Sequence, residues 1–480
     1  MIKLKKPMMY LKIYMERSSS MRIWINKNKI QEEQDEKFYN AYEFSIKRNE
    51  YSTMYTHMDY VWRQFGIQKL DSIYEDLFIV GMSVFSIDKR ISRTLFDDNW
   101  TRSFEVSIPV LELNKWNSIK DKLNETLTFL TGDIWNIEFR KTEEIYMECN
   151  SSLNRRNRLN KSDYNAVSLF SGGLDSFCGA IELMEQGNSL CLVGHNEYPK
   201  LRVKQEELAQ AINNEYPSQK CKFISFSANS YAPANKDGKI EKNENTSRGR
   251  SFLFLCMAIT IAGIIGDEAF VYIPENGFIG LNIPLTNSRK GSCSTRTTHP
   301  YFIGNFNEIL AGIGIKNKVI NIFAYKSKRE IVNNVKDNII FKQHAKDTIS
   351  CSHPCITRYN KNGDKEYPVN CGYCYPCLIR KSSLIDAENI SEHYTYPIID
   401  SDFLRSFEGR DITNDTRAVL SSIYRYNNID EKELSRLIKC SGKLINSDIE
   451  KFKNVYKKTM NDLIEIFSKD QEMKKYIGME

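Results

Sequence analysis

The stretch AVSLFSGGLDSFCGAIELMEQG, residues 166–187, passes through three kinds of local pattern. Ala166 to Phe170 is a short apolar run of strand length. Ser171, Gly172 and Gly173 follow at once, and glycine both accepts positive φ and lets backbone N–H groups come close to a ligand. From Ser176 to Gln186 the apolar residues Phe177, Ala180, Ile181 and Met184 recur at helical spacing, and Gly187 stands where a helix stop is expected. Strand, tight turn and helix in this order present bare N–H groups at a helix N-terminus. That arrangement attracts anions, and phosphate is the usual one. Two common phosphate loops are excluded: no Gly-Lys-Ser/Thr follows at the required spacing, and G-x-G-x-x-G is absent.

Downstream the chain keeps alternating strand and helix, the pattern of a parallel sheet with helices on both faces. SLCLVGHN (189–196), KCKFISFSA (220–228), EAFVYIPENG (268–277) and KVINIFAY (318–325) read as strands, with helices over 201–215, 250–266 and FIGNFNEILAGI. Ligands in such sheets sit beyond the strand carboxyl ends. This gathers Ser171 to Ser176, His195, Glu275 and Asn276 around one crevice. Arg248 and Arg250 precede the apolar helix, where an arginine can fork onto phosphate oxygens. The polar segment 229–247 reads as a mobile loop in the position of a lid or insert. GLNIPLTNSRKGSCSTRTTHPYF (280–302) is dense in hydroxyls and cations. It reads as a loop for a second, anionic substrate, with Arg289, Arg296, Thr297, Thr298 and His299 as its binding residues. Without a positioned base, Cys293 in that loop reads as an inert thiol.

Residues 21–150 have the texture of an α+β domain and carry no catalytic constellation. MRIWIN opens it. DLFIVGMSVFSIDKRISR (76–93) reads as two strands and a turn, RSFEVSIPVL (102–111) and DIWNIEFR (133–140) as strands, and 114–132 as an amphipathic helix ending at Gly132. Residues 1–20 read as an extension outside the fold, and 151–165 as a basic linker. After 385 the pattern is helical. The 67 basic and 61 acidic residues nearly cancel, so the +6 charge does not by itself call for nucleic acid. No apolar run reaches about 18 residues, which argues against a membrane span. Twelve cysteines, five of them between 351 and 377, suit metal ligation in a reducing cytoplasm better than disulfides. Cys351, Cys371, Cys374 and Cys377 give C-x19-C-x2-C-x2-C, four thiolates for a closed structural Zn²⁺ site, with an iron–sulfur cluster as the other four-thiolate option. Cys355 and His353 are spare candidates.

SGGLDS (171–176) resembles the PP-loop of the ATP pyrophosphatase superfamily, which cleaves ATP between its α- and β-phosphates. The resemblance implies a HUP-like α/β domain over 166–345. In it Ser171, Gly172, Gly173, Leu174 and Ser176 would hold pyrophosphate and Asp175 would carry Mg²⁺, with His195 and Arg250 also on the nucleotide. Asp175, Ser176 and Arg250 would be the catalytic residues. With TISC (348–351), YKSKREIV (325–332) and CGYCYPCLIRK (371–381), the chain is similar to the 7-cyano-7-deazaguanine synthase (QueC) family over roughly 165–385. That family uses ATP to adenylate the carboxylate of 7-carboxy-7-deazaguanine, then makes an amide with ammonia and dehydrates it to a nitrile. Its enzymes are shorter, lack residues 21–150, and have Tyr-Pro-Asp where this chain has STRTTHP. The longer form resembles QueC-like components of antiphage defence operons of the Qat and CBASS kinds. This implies delivery of the acyl group to an amine, here of a partner protein docked by residues 21–150. Glu275, Asn276 and the 280–302 loop would bind the deazaguanine, a four-cysteine zinc module would span 346–385, and a helical region 386–480. Other readings are a free-nitrile synthase, a PP-loop tRNA-modifying enzyme, and a nucleotide-sensing scaffold.

Overall fold

The computed structural model describes residues 20–27, 34–46, 52–146, 158–195, 198–240, 242–244, 248–285, 296–359, 367–387 and 394–479. Arg289 and Cys293, the extension up to residue 19 and residues 151–157 of the basic linker lie outside these residues. The chain is α/β, with two largely parallel sheets. The first takes β1 (Met21–Asn26), β2 (Tyr42–Ser45), β4 (Ser103–Val110) and β5 (Ile134–Lys141), all parallel, in the order β2-β1-β4-β5. Between them run β3 (Met54–Thr56), α1 (Met58–Gln64), α2 (Ser72–Arg90) and α3 (Leu113–Thr131). As the sequence suggests, α3 ends at Gly132 with φ +75°, a left-handed stop.

The segment 76–93 departs from its reading as two strands: most of it lies in α2. Nearly every residue from Tyr74 to Asp88 is buried, because α2 is sandwiched between the first sheet and a second apolar helix. A helix buried all round has no polar stripe, so its periodicity vanishes and its β-branched, aromatic run imitates strands. At Gly81 the two helices touch so closely that a Cβ there would lie 2.8 Å from the Cys256 Cβ.

The second sheet takes β6 (Ala166–Leu169), β7 (Leu190–His195), β8 (Cys221–Phe226), β12 (Phe270–Tyr272) and β13 (Val319–Ile320), in the order β13-β12-β6-β7-β8, every pair parallel. Its two faces are both covered. Val167, Cys191, Val193, Ile224 and Val271 share one core with α6 (Gly249–Ile265), α2 and the first sheet. Ala166, Leu190, Leu192 and Cys221 face α4 (Leu174–Glu185), α5 (Pro199–Glu215), α9 (Lys328–Val335) and α10 (Ile339–His344).

Within the segment 229–247, the described residues 229–240 and 242–244 form an insert against the first half of the chain rather than a lid. β9 (Ala228–Ser230) pairs antiparallel with β3, and β10 (Ala234–Asn235) forms a hairpin with β11 (Gly238–Lys239) that adds to the edge of the first sheet at β2. Glu244 accepts from Arg93 N at 3.0 Å. Strands this short take their identity from distant partners, which local pattern does not encode.

α8 (Pro300–Gly312) packs into the core shared with the first sheet, while α7 (Gly277–Leu281) belongs to a third core. There the cysteine segment and α11 (Tyr375–Ser383) pack with α12 (Ser401–Ser406), α13 (Asn414–Asn427), α14 (Glu431–Lys439), α15 (Asn446–Phe467) and α16 (Gln471–Tyr476). Among the described residues no helix is long and apolar enough to cross a membrane.

Candidate functional site

The second sheet delivers its loops to one edge. After β6 the chain turns through Ser171 to Gly173, with Gly172 at φ +78°, a value glycine tolerates and other residues resist. The loop is braced from inside: the Ser171 hydroxyl accepts from Gly173 N at 3.2 Å and lies 3.2 Å from the Ser176 hydroxyl, which donates to Gly173 O at 2.9 Å. Gln205, on α5, donates to the carbonyls of Phe170 and Ser171. Leu174 and Asp175 open α4, so the acid stands at the positive end of the helix.

Asp175 is the electrostatic centre. Lys328 Nζ lies 2.9 Å from its Oδ1, and Asn276 Nδ2 donates to its Oδ2 at 2.6 Å. Burial alone would raise the Asp175 carboxyl; the Lys328 ammonium and the Asn276 amide outweigh it and hold the group below the ordinary carboxylate range. Glu275 moves the other way, pushed well above its usual range by burial and by the Asp175 charge. Asp175 and Lys328 thus balance each other while Glu275 keeps its proton, and a divalent cation that displaces this proton would find two carboxyl groups at one cleft, a composition suited to such an ion with phosphate oxygens.

Each partner is placed by a local device. Asn276 caps α7, its Oδ1 accepting from Ile279 N at 3.0 Å. Ser327 and Glu330 form a capping box at the start of α9, which puts Lys328 in the first turn. Sequence reasoning misses Lys328, although the Ser-x-x-Glu signature around it is legible. A cleft of about 270 Å³ opens over this group, lined among others by Ser171, Gly173, Asp175, Ser176, Glu275 and Lys328, and on the far side by Ile349 to Ser352.

The cysteine quartet forms the adjoining wall. The sulfurs of Cys351, Cys371, Cys374 and Cys377 lie within 4.8 Å of one another, with 3.8 Å between Cys351 and Cys374 and 3.9 Å between Cys371 and Cys377. Four backbone N–H groups, of Ser352, His353, Cys371 and Cys374, point at these sulfurs and favour thiolates. The group can hold a metal ion. A tetrahedral site with bonds of about 2.3 Å sets its sulfurs about 3.8 Å apart, so the spacing is consistent with one zinc ion. Cys355 stands outside the quartet, and His353 stacks on Tyr373 with ring centroids 5.6 Å apart.

The other expected site residues fall elsewhere. His195, at the end of β7, sits between the rings of Phe226 and Phe254. Arg250 lies over Phe254, 5.4 Å from the ring, and Arg248 donates to Thr131 O at 2.6 Å, so neither arginine lines the cleft. Arg296 donates to Phe129 O at 2.9 Å and covers that ring at 4.7 Å. Thr298 packs against Gly280, and Thr297 is half-buried beside it. His299 caps α8 through Tyr301 N and lies 3.3 Å from the Ser441 hydroxyl. The described part of the 280–302 stretch therefore joins α3, α8 and the C-terminal helices, and none of Arg296 to His299 lines the cleft.

A scan against protein-family models finds no match for the chain, and a search of curated proteins finds none that matches it.

Proposed function

We propose that the chain is a PP-loop enzyme of the QueC-like kind. It would adenylate the carboxylate of a 7-deazaguanine, 7-carboxy-7-deazaguanine, with ATP and pass the acyl group to an amine of a partner protein, in the cytoplasm and in antiphage defence. The observation that carries this reading is the Ser171–Ser176 turn with Asp175, Glu275, Asn276 and Lys328 converging on one cleft. A carboxylate oxygen of the deazaguanine attacks the α-phosphorus, and the bond from that phosphorus to the bridging oxygen breaks. Pyrophosphate leaves. The amine nitrogen then attacks the acyl carbon, AMP departs with the oxygen, and the amine loses its proton.

The chain's own residues divide this work. The N–H groups of the turn and the N-terminus of α4 receive the departing pyrophosphate. Lys328 is poised to exchange its Asp175 partner for phosphate oxygens. Asp175 and Glu275 fit Mg²⁺, whose charge neutralises the pyrophosphate. The cysteine quartet fits Zn²⁺ as a closed structural site beside the reaction rather than within it.

The test is to incubate the chain with ATP, Mg²⁺ and 7-carboxy-7-deazaguanine and to measure AMP and pyrophosphate. AMP that depends on the deazaguanine and disappears in Asp175→Ala is the expected result. No AMP, with or without protein partners, would overturn the proposal. Free nitrile in place of a protein adduct would overturn its second half alone.

A further inference from the structure

The metal quartet and the Ser171–Ser176 turn are joined by a short polypeptide clamp, residues 345–350. Two bonds from this clamp reach the turn directly. Ile349 N donates to Gly172 O at 2.9 Å, and Leu174 N donates to the Ser350 hydroxyl at 3.0 Å. The clamp also fills the space beside the turn: a Cβ on Gly173 would meet Ile349 O at 3.3 Å and the Ser350 Oγ at 3.4 Å. The other side of the clamp is held by neighbours of the cysteines. Ser350 immediately precedes Cys351. Asn370, immediately before Cys371, accepts from Ser350 N at 3.0 Å and donates to Thr348 O at 3.0 Å. Arg380, one turn after Cys377 on α11 and wholly buried, donates to Thr348 Oγ1 at 2.6 Å and to Ala345 O at 2.7 Å. Three of the four cysteines thus have a close neighbour in the chain that fixes the clamp.

Resting on the adenylation reading, we propose that Ser350 is a positioning residue for the nucleotide site. Its hydroxyl holds Leu174 N, the first amide of α4, and through Cys351 it ties the position of the turn and its remaining amides to the metal quartet. A buried amide with no acceptor is costly, so losing the hydroxyl releases the turn to seek another partner. The quartet, besides closing a small fold, sets the register of the phosphate-receiving amides.

The test uses the zinc-loaded full chain and α,β-methylene-ATP with Mg²⁺, an analogue that resists cleavage at the bond in question. Ser350→Ala should bind it about tenfold more weakly, the loss of roughly one hydrogen bond, with zinc content unchanged and the melting temperature lowered by no more than about 4 °C. Ser350→Thr, which keeps the hydroxyl, should restore binding to within about threefold. In turnover the Ala variant should raise KM for ATP more than it lowers kcat. Equal binding by wild type and Ser350→Ala would overturn the positioning role and leave the adenylation reading standing. Loss of binding only together with loss of zinc, in both variants, would overturn it as well, because Ser350 would then merely help build the module. A wild type that binds the analogue but makes no AMP from the deazaguanine would sink the adenylation reading while the positioning role stands. A wild type that binds nothing overturns both.

Discussion

Both sheets bury charge at the ends of parallel strands, the first at both ends and the second beyond the carboxyl ends, yet to different purposes. In the first sheet Lys27 follows β1 and pairs with Glu75 of α2 at 2.5 Å, both side chains essentially inaccessible. Asp76 beside them accepts from Leu111 N, Glu112 N and the Trp116 indole. Arg102, also wholly buried, is held by Asp88 and Asp133. Every charge there has its answer within the protein. In the second sheet Asp175, Glu275 and Lys328 face a cleft, and Glu275 holds a proton there that a cation could displace. A buried ionic group becomes a candidate site when it opens onto space that a ligand can enter; one sealed on every side is a clamp. The closed clusters should therefore report in stability, and the open one in chemistry.

The largest expected effect is metal removal. Structural zinc in small modules carries about 10 kcal/mol or more of folding energy. Chelation should strip hydrogen-exchange protection from residues 345–385 and from the Ser171–Ser176 turn, while β1, β4 and α2 keep theirs. Equal loss in both sheets would erase the contrast. Next, Asp175→Ala should lower AMP formation about a thousandfold, with a modest stability change, because Glu275 remains to pair with Lys328. Lys27→Ala should do the reverse. It strands a buried carboxylate at a cost of about 3 kcal/mol in urea unfolding and leaves AMP formation within about twofold.

The smallest effect is a pH dependence. Burial, helped by the Arg296 charge, pulls the His299 imidazole down to about 3. The folded chain keeps it neutral while the unfolded chain protonates near 6.5. Stability is then complete above about 6.5 and falls on acidification, by about 2 kcal/mol between about pH 6.5 and 5. His299→Asn, which can still cap α8, should flatten urea midpoints measured across that window.

What is legible in the sequence follows from range. The 171–176 turn, α3 with its Gly132 stop and the cysteine spacing are local, and each appears where the pattern puts it. α2 reads wrongly because burial on every side erases its stripe. β9 and the β10–β11 hairpin pass for a polar loop because their partners, β3 and β2, lie far back in the first half of the chain. Arg296, Thr298 and His299 look like ligand-binding residues because a buried seam between helices uses the same polar side chains as a binding loop. Lys328 escapes notice because a lysine beside a capping box is common, and only the fold brings it to Asp175.

The hairpin of β10 and β11 has an evolutionary consequence. It is encoded within the second half of the chain but completes the sheet of the first, and α2 and α6 share one apolar seam. A recombination breakpoint between residues 146 and 158 would leave one product with an uncovered sheet edge and the other with a bare helix face. The first sheet and the second can be exchanged between genes only together. The C-terminal helices share their core with α7 and the cysteine segment rather than with the first sheet.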